Sequence, residues 1–374
     1  TPSLESWYNA NYKDNKYNLL KLTNRAIKNS TLPKIDTILV NDKTKYGISR
    51  LLVDAINNRL KRKEQSLIYI NRRGFAPVLF CSNCNWHSEC NRCSSKLVVH
   101  AREKKLKCHH CGYEKKLINK CPSCMSSDLH PLGAGTQKIE EVLKKLFPKA
   151  SILRVDRDTT RSKKSLSLLY EKMNKREIDI LVGTQMLSKG HDFPFLSLVG
   201  VLDADNALYS PDYRASEKLF SQLLQVSGRA GRSDIKGEVL IQTNFPNNPV
   251  FEAIKKNSYE SFVKKLLQER KQMDLPPYSF TAILRVESKQ LKQAEKFIME
   301  TAKYGKSLKN NVIIYDPLRP PIERLNSYER FQLFFQAKNR KELQDFLKKL
   351  RFYMIEHPLV NRIKWALDID PIEF

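Results

Sequence analysis

The sequence predicts an α/β protein: a parallel sheet under helices, interrupted by a cysteine-rich module and followed by an α+β domain. Three observations lead there. Helical and strand-like segments alternate on both sides of a gap in the first two-thirds of the chain; all eight cysteines fall inside that gap, between Cys81 and Cys124; and the rhythm changes after residue 276. Short apolar strands alternating with amphipathic helices fit a sheet buried on both faces.

Residues 1–43 hold one strand, Ile35 to Val40, after a proline break, and are too few for a core of their own. They are expected to be the tail of a preceding domain. Residues 46–61 place Ile48, Leu51, Leu52, Ala55, Ile56 and Leu60 at helical spacing, and SLIYI (66–70) supplies a strand. Beyond the cysteines come a helix from Thr136 to Phe147, a strand at SILRVD, a helix near Lys163 to Met173, and strands at IDILVG and LSLVGVLDAD. The segment 276–374 reads strand, helix, strand, strand, helix, strand, the order of a split-βαβ, ferredoxin-like domain. The expected domains are therefore 1–43, then 44–80 with 126–275, an insertion at 81–125, and 276–374.

The chain of 374 residues carries 66 Lys+Arg against 40 Asp+Glu, a formal +26. A polyanion partner follows from Coulomb attraction and counterion release, although a lysine-rich genome also raises surface charge. No run of eighteen apolar residues occurs, and the first twenty residues lack the charged start and apolar stretch of a signal peptide. No membrane partner is expected, and the cytoplasm is the expected compartment.

The cysteines form four CxxC pairs: Cys81/Cys84, Cys90/Cys93, Cys108/Cys111 and Cys121/Cys124. A CxxC turn offers two thiolates to one ion, and two such knuckles complete a tetrahedral zinc site. The middle knuckles are fourteen residues apart, enough for the hairpin of a zinc ribbon, and closing that hairpin brings the outer knuckles together. Two Zn2+ ions are expected in a nested arrangement: Cys90, Cys93, Cys108 and Cys111 on one, Cys81, Cys84, Cys121 and Cys124 on the other. Four thiolates leave no open position, so these sites are structural rather than catalytic. His87, His109 and His110 remain alternative ligands. Residues 101–120 contain seven Lys/Arg and two Asp/Glu, near Trp86 and Tyr113, which suits either nucleic acid or a solvated basic face.

Residues 225–232 read QVSGRAGR, between an amphipathic helix (SEKLFSQLL) and a strand (EVLIQT). Arg229 and Arg232, three apart, project the same way on a helical turn. Guanidiniums aimed together at a γ-phosphate stabilise charge that develops in phosphoryl transfer. Gln225, Gly228 and Gly231 complete the pattern; the bland alternative is a pair of structural salt bridges.

QVSGRAGR resembles motif VI of superfamily 2 helicases, and GTQMLSKGHDFP (183–194) resembles their motif V. The match narrows to the primosomal protein N′ (PriA) family of replication-restart DNA helicases. TPSLES, INRRGFAPVLFC, LGAGTQKIEEVLKKLFP, RVDRDTT and KWALDIDPIEF fit in order, with eight cysteines inserted between NRRGFAP and GAGT. The resemblance implies a RecA-like helicase lobe 2 carrying motifs IV to VI, preceded by the tail of lobe 1. It implies that Arg229, Arg232 and Gln225 act on ATP with Mg2+, that Gly190, Asp192 and Gly228 lie near the nucleotide, and that Thr184, Gln185, Arg72 and Arg73 contact DNA. The KGHHF common in the family reads KGHDF here, which puts the acidic Asp192 where many other superfamily 2 helicases carry one.

By the same resemblance the whole protein unwinds stalled or abandoned forks 3′ to 5′ for primosome assembly, as a monomer in the bacterial cytoplasm. Its implied partners are forked and single-stranded DNA, single-stranded DNA-binding protein and other primosome components. No Walker A sequence or DExH box occurs in the chain. These are expected upstream of Thr1, and the chain alone is expected not to hydrolyse ATP. Two other readings stay open: a zinc-stabilised nucleic-acid-binding scaffold, and another superfamily 2 translocase.

Overall fold

The computed structural model describes residues 1–372 apart from 13–16, 22–31, 41–46, 72–77, 82, 85, 93–96, 101–102, 109–112, 133–134, 156–162, 185–192, 209–211 and 232–234. In chain order the elements are α1 (Leu4–Asn11), β1 (Lys34–Leu39), α2 (Arg50–Lys61) and β2 (Gln65–Ile70). The cysteine-rich region holds β3 (Val78–Cys81), β4 (Val98–His100), β5 (Lys105–Lys107), β6 (Glu114–Lys116) and β7 (Leu129–Leu132). Then come α3 (Gly135–Leu146), β8 (Ile152–Val155), α4 (Lys163–Asn174), β9 (Ile180–Gly183), β10 (Leu196–Leu202), α5 (Ala215–Ser227), β11 (Glu238–Thr243), α6 (Pro249–Lys255) and α7 (Tyr259–Gln272). The chain closes with β12 (Phe280–Ser288), α8 (Leu291–Ser307), β13 (Ile313–Ile314), β14 (Arg324–Leu325), β15 (Tyr328–Ala337), α9 (Arg340–Glu356) and β16 (Lys364–Ile369). These elements divide between two compact units, residues 1–75 with 133–265, and residues 76–132 with 266–374.

The first unit is a six-stranded sheet in the order β1-β11-β10-β2-β9-β8, with every pairing parallel. Its central strands β2, β9 and β10 are buried along their whole length. On one face Ile68, Ile70, Ile180, Val182, Leu198 and Leu202 pack against Leu52 and Ile56 of α2 and Val142 and Leu143 of α3. The alternate residues of the same strands, such as Leu67, Tyr69, Leu181 and Val199, are equally buried, as a strand covered on both faces requires.

Two sequence expectations change here. Residues 1–43, read as the tail of a separate domain, contribute β1 as an edge strand of this same sheet, paired with β11 from Lys34↔Glu238 to Leu39↔Thr243. Helix α1 belongs to the unit too: the Leu4 amide donates to Glu217 Oε1 at 3.1 Å, Arg214 pairs with Glu5 at 3.0 Å, and Trp7 meets Tyr259 edge-on. Second, the helix expected over 46–61 begins only at Arg50. Gly47 has φ +82°, outside helical geometry, and Ser49 is the N-cap, its Oγ accepting from the Leu52 amide.

In the second unit the cysteine-rich strands form an antiparallel sheet, β6-β5-β4-β3-β7. The C-terminal sheet runs β13-β15-β12-β16, with β14 paired to β15. Counted along the domain, its four main strands lie in the order second, third, first, fourth, all antiparallel, the arrangement of a split-βαβ fold. Helices α8 and α9 cover one face, burying Phe297, Ile298, Phe346 and Leu350 against Leu284, Val286, Leu333 and Phe335. Among the described residues no helix is long and apolar enough to cross a membrane.

Candidate metal centre and motor segments

The outer knuckles meet. Strand β3 ends on Cys81, whose amide donates to the Trp86 carbonyl at 2.8 Å, and this turns the chain so that Cys84 faces back. The second knuckle is built alike: the Cys121 amide donates to the Ser126 carbonyl at 2.8 Å, and Met125 takes φ +61° to close the turn. The Sγ atoms of Cys81, Cys84, Cys121 and Cys124 all lie within 4.8 Å of one another. The Cys81–Cys124 and Cys84–Cys121 pairs stand at 3.6 Å. That is far from a disulfide bond of about 2.05 Å. It is close to the edge of about 3.8 Å expected when four sulfurs sit about 2.3 Å from a central zinc. The Asn83 Nδ2 group donates to Cys124 Sγ at 3.5 Å and, with the Ser126 backbone, lowers that thiol to about 6, while at Cys84 the lowering pull of the Trp86 backbone is outweighed by burial and the neighbouring sulfurs, which push that thiol up to about 11. A thiolate is the form that binds metal, so the donor set and the spacing both fit Zn2+.

Of the inner knuckles the structure describes Cys90 and Cys108, both buried in one apolar cluster with Leu79, Leu97, Val99 and Leu106. The Cys108 amide donates to the Tyr113 carbonyl at 2.7 Å, the same five-residue closure seen at Cys81 and Cys121. The β4–β5 hairpin lies between the inner knuckles, as a zinc ribbon requires. Cys93 and Cys111, and with them His109 and His110, lie outside the described residues. His87 is half exposed near Glu89 and is not among the four clustered ligands. The basic stretch is partly self-neutralised, because Glu114 on β6 pairs with Lys107 at 2.5 Å and Lys105 at 3.1 Å across the strands. Those two lysines hold the Glu114 carboxyl down to about 2.

A feature the sequence did not disclose ties this module to the C-terminal domain. The turn between β14 and β15, with Asn326 at φ +52° and Ser327 at φ +65°, inserts its Ser327 amide onto the Arg92 carbonyl at 2.6 Å. Arg92 sits inside the Cys90 knuckle: its own amide donates to Cys90 Sγ at 3.3 Å and its guanidinium lies over the Tyr113 ring. Leu325 packs on the cluster that holds Cys90 and Cys108.

QVSGRAGR departs from the expected helical turn. Helix α5 stops at Ser227 with Gly228 as its cap, and the next bonds, Arg229 N to Val226 O and Ala230 N to Ser227 O, are tight three-residue closures. Gly231 then takes φ +71° and donates to the Leu196 carbonyl at the start of β10. A Cβ there would stand 2.5 Å from the Gly237 nitrogen, so only glycine lets the two backbones touch. Arg229 is 6% exposed. Its guanidinium lies near Tyr170 of α4, whose phenol is pushed up by burial against the opposing influence of Arg229. Tyr170 in turn stacks on Phe193, with ring centroids 5.5 Å apart. Gln225 is exposed on α5 and Gly228 half-buried. Thr184 stands just beyond the C-terminal end of β9. Arg72, Arg73, Gln185, Gly190, Asp192 and Arg232 lie outside the described residues.

Three family models match this chain in succession. Residues 90–116 match the PriA DNA helicase Cys-rich region, residues 132–234 the helicase conserved C-terminal domain, and residues 271–372 the primosomal protein N C-terminal domain. The chain is 37% identical over 372 residues to the replication restart protein PriA of Haemophilus influenzae, covering 99% of this chain and 50% of that protein. It is 39% identical over 381 residues to that of Rickettsia conorii, covering 100% and 57%, and 32% identical over 376 residues to that of Bacillus subtilis, covering 99% and 46%. The chain belongs to the PriA family. It spans about half the length of the curated relatives it matches.

Within this family frame the parallel unit is the RecA-like helicase lobe, the clustered thiols belong to the Cys-rich zinc-ribbon region, and the antiparallel unit contains the C-terminal domain. A buried anchor of the lobe went unread in the sequence. Asp205, after β10, accepts from the Thr243 hydroxyl, from the Asn244 amide at 2.8 Å and from Asn244 Nδ2 at 2.9 Å, fixing the ends of β10 and β11 together. The repeated acids of LDADN were its only trace, and they look the same as surface charge until β11 is placed beside them.

Proposed function

We propose that this chain supplies the second motor lobe, the zinc module and the C-terminal domain of an ATP-dependent DNA helicase that reopens stalled or abandoned replication forks, translocating 3′ to 5′. The observation that carries the reading is the four-thiol cluster interrupting a parallel sheet straight after β2, in the same succession as the three matched family regions. A free-standing zinc scaffold has no reason to split such a sheet.

Two zinc ions hold the module, and ATP with Mg2+ is bound between this lobe and a nucleotide-cradling partner lobe. Thr184, Gln185, Arg72 and Arg73 grip DNA, while Gly190, Asp192, Gln225 and Gly228 border the nucleotide. The two arginines divide their work. Arg229, buried beside Tyr170, holds the turn in place, and Arg232 carries charge to the γ-phosphate. Single-stranded DNA-binding protein and other primosome components are the proposed partners of a monomeric protein in the bacterial cytoplasm.

The test joins this chain to the nucleotide-cradling lobe and measures DNA-stimulated ATPase and unwinding of forks with 3′ or 5′ tails. Arg232→Ala is expected to slow turnover by roughly 10³-fold, with melting unchanged, whereas Arg229→Ala lowers the melting temperature as well. Normal turnover in Arg232→Ala removes the finger assignment, and unwinding from the 5′ tail alone removes the polarity.

A further inference from the structure

Two helix N-termini from distant parts of the sequence meet in the parallel unit: α1 begins at Leu4 and α5 at Ala215. A helix start carries partial positive charge and amides without intrahelical acceptors, so two starts brought together repel unless acids stand between them. Each helix supplies one acid to the other. In α1 the Ser3 hydroxyl caps the Ser6 amide at 3.1 Å, while the Leu4 amide donates to Oε1 of Glu217, in the first turn of α5, 213 residues away. In return Glu5, in the first turn of α1, pairs at 3.0 Å with Arg214, the N-cap residue of α5.

The apolar groups beneath this latch hold it in register. Leu4 and Trp7 are buried; Trp7 meets Tyr259 edge-on, and Tyr259 lies against Phe220 of α5, with ring centroids 5.7 Å apart. The Tyr259 hydroxyl donates to the Pro2 carbonyl, and the Thr1 and Ser221 hydroxyls stand 2.8 Å apart. The entry to α5 is fixed as well, since Asp212 accepts from the Arg214 amide at 2.9 Å and pairs with Lys218 at 2.7 Å.

At its other end α5 runs directly into the arginine turn. Its last residues, Val226 and Ser227, are buried, and their carbonyls accept the amides of Arg229 and Ala230. A helix of this length is a rigid element, so a contact that sets its axial position at one end sets the position of the turn at the other. We infer that Glu217 and Arg214 are positioning residues for ATP hydrolysis: by latching α5 to α1 they determine where the QVSGRAGR turn stands when nucleotide is bound. They act through α5 rather than on ATP. The inference deepens the proposed function and rests on it. In that reading the nucleotide-cradling lobe precedes Thr1, and α1 is the segment through which the placement of that lobe reaches the arginines.

The experiment uses the chain joined to the nucleotide-cradling lobe and measures kcat and KM for DNA-stimulated ATP hydrolysis, with calorimetric melting alongside. Glu217→Ala and Arg214→Glu are expected to lower kcat roughly 10-fold while KM for ATP stays within about twofold, the pattern of a misplaced group that acts in the transition state. Two variants should recover turnover to within roughly threefold of the parent: Glu217→Gln, which keeps an acceptor for the Leu4 amide, and the exchanged pair Glu5→Arg with Arg214→Glu. Should the harsher changes prevent folding, Glu5→Gln only unpairs Arg214 and is expected to lower kcat roughly threefold, with melting within about 3 °C because partly exposed ion pairs add little stability. A kcat within about twofold of the parent in Glu217→Ala, Arg214→Glu and Glu5→Gln overturns the inference and leaves the proposed function standing. Turnover that falls only as melting falls, with no recovery in Glu217→Gln or the exchanged pair, makes the latch a structural contact and overturns it too. Absence of ATPase from the joined parent protein sinks both readings.

Discussion

The two glycines of QVSGRAGR make a sharp test, because the structure gives them opposite roles in stability. Gly231 has φ +71°, and an added Cβ would approach the Gly237 nitrogen to 2.5 Å and its Cα to 2.8 Å. Left-handed backbone costs a non-glycine residue about 1–2 kcal/mol. Forcing two backbones apart adds an overpacking cost of about 1–3 kcal/mol, since neither can rotate away as a side chain does. Gly231→Ala should thus destabilise the lobe by about 2–5 kcal/mol, or roughly 4–20 °C in melting temperature for a unit of this size. At Gly228, φ is −65° and a Cβ would meet nothing closer than 3.5 Å. There alanine reduces the freedom of the unfolded chain and is neutral or stabilising by up to about 1 kcal/mol. The assay is calorimetric melting of both variants in excess zinc. A Gly231→Ala protein melting within about a degree of the parent, or a Gly228→Ala protein that loses as much as Gly231→Ala, would refute the steric account.

Other expectations follow from particular contacts. Cys124→Ser should remove one zinc per chain and Cys90→Ser the other, as counted by elemental analysis of the purified protein; loss of neither ion from either variant would end the two-site reading. Leu325→Ala removes packing from the cluster around Cys90 and Cys108, so a chelator should extract one ion roughly fivefold faster, for about 1 kcal/mol of lost burial, while the other ion leaves at the parent rate; equal acceleration of both would show that the β14–β15 turn does not act on the inner knuckle. Asp205→Asn replaces a buried carboxylate that takes three hydrogen bonds from Thr243 and Asn244 and should lower unfolding free energy by about 2–3 kcal/mol in urea, with zinc content unchanged; a parent-like midpoint would mean the site has relaxed around the amide.

Much of the lobe was legible because fully buried parallel strands leave continuous apolar runs. IDILVG and LSLVGVL read as strands on their own, and they became β9 and β10. Strand β1 was also found, but not its owner: its partner β11 lies two hundred residues away, and no local pattern records a parallel pairing that distant. In QVSGRAGR the arginine spacing suggested a helix, while Gly228 and the left-handed Gly231 ended one; backbone sterics overrode spacing. The outer thiol cluster was readable because CxxC is itself a local structure and loop length limits which knuckles can meet. The contact of Ser327 on Arg92 and the meeting of Glu217 with the Leu4 amide were not, since both join surfaces from segments far apart in sequence.

The placement of the motor segments bears on how grip and hydrolysis would be coupled. Thr184 follows the C-terminal end of β9, whereas Phe193, at the far end of the same motif, precedes the N-terminal end of β10. These strands are parallel through β2, so the two described ends of the motif stand at opposite edges of one sheet. At the Phe193 edge, Tyr170 stacks on Phe193 and neighbours Arg229, and Gly231 is hydrogen-bonded to the first residue of β10. The proposed nucleotide side therefore forms a packed cluster, and the proposed DNA side sits at the opposite strand ends. A buried sheet transmits displacement between its edges as a rigid body, because close-packed interiors do not deform continuously. Tyr170 thus links the Arg229 turn to the Phe193 end of the motif. The motif that begins at Gly183 and Thr184 and ends past Phe193 therefore has its described ends at the proposed DNA side and the proposed nucleotide side.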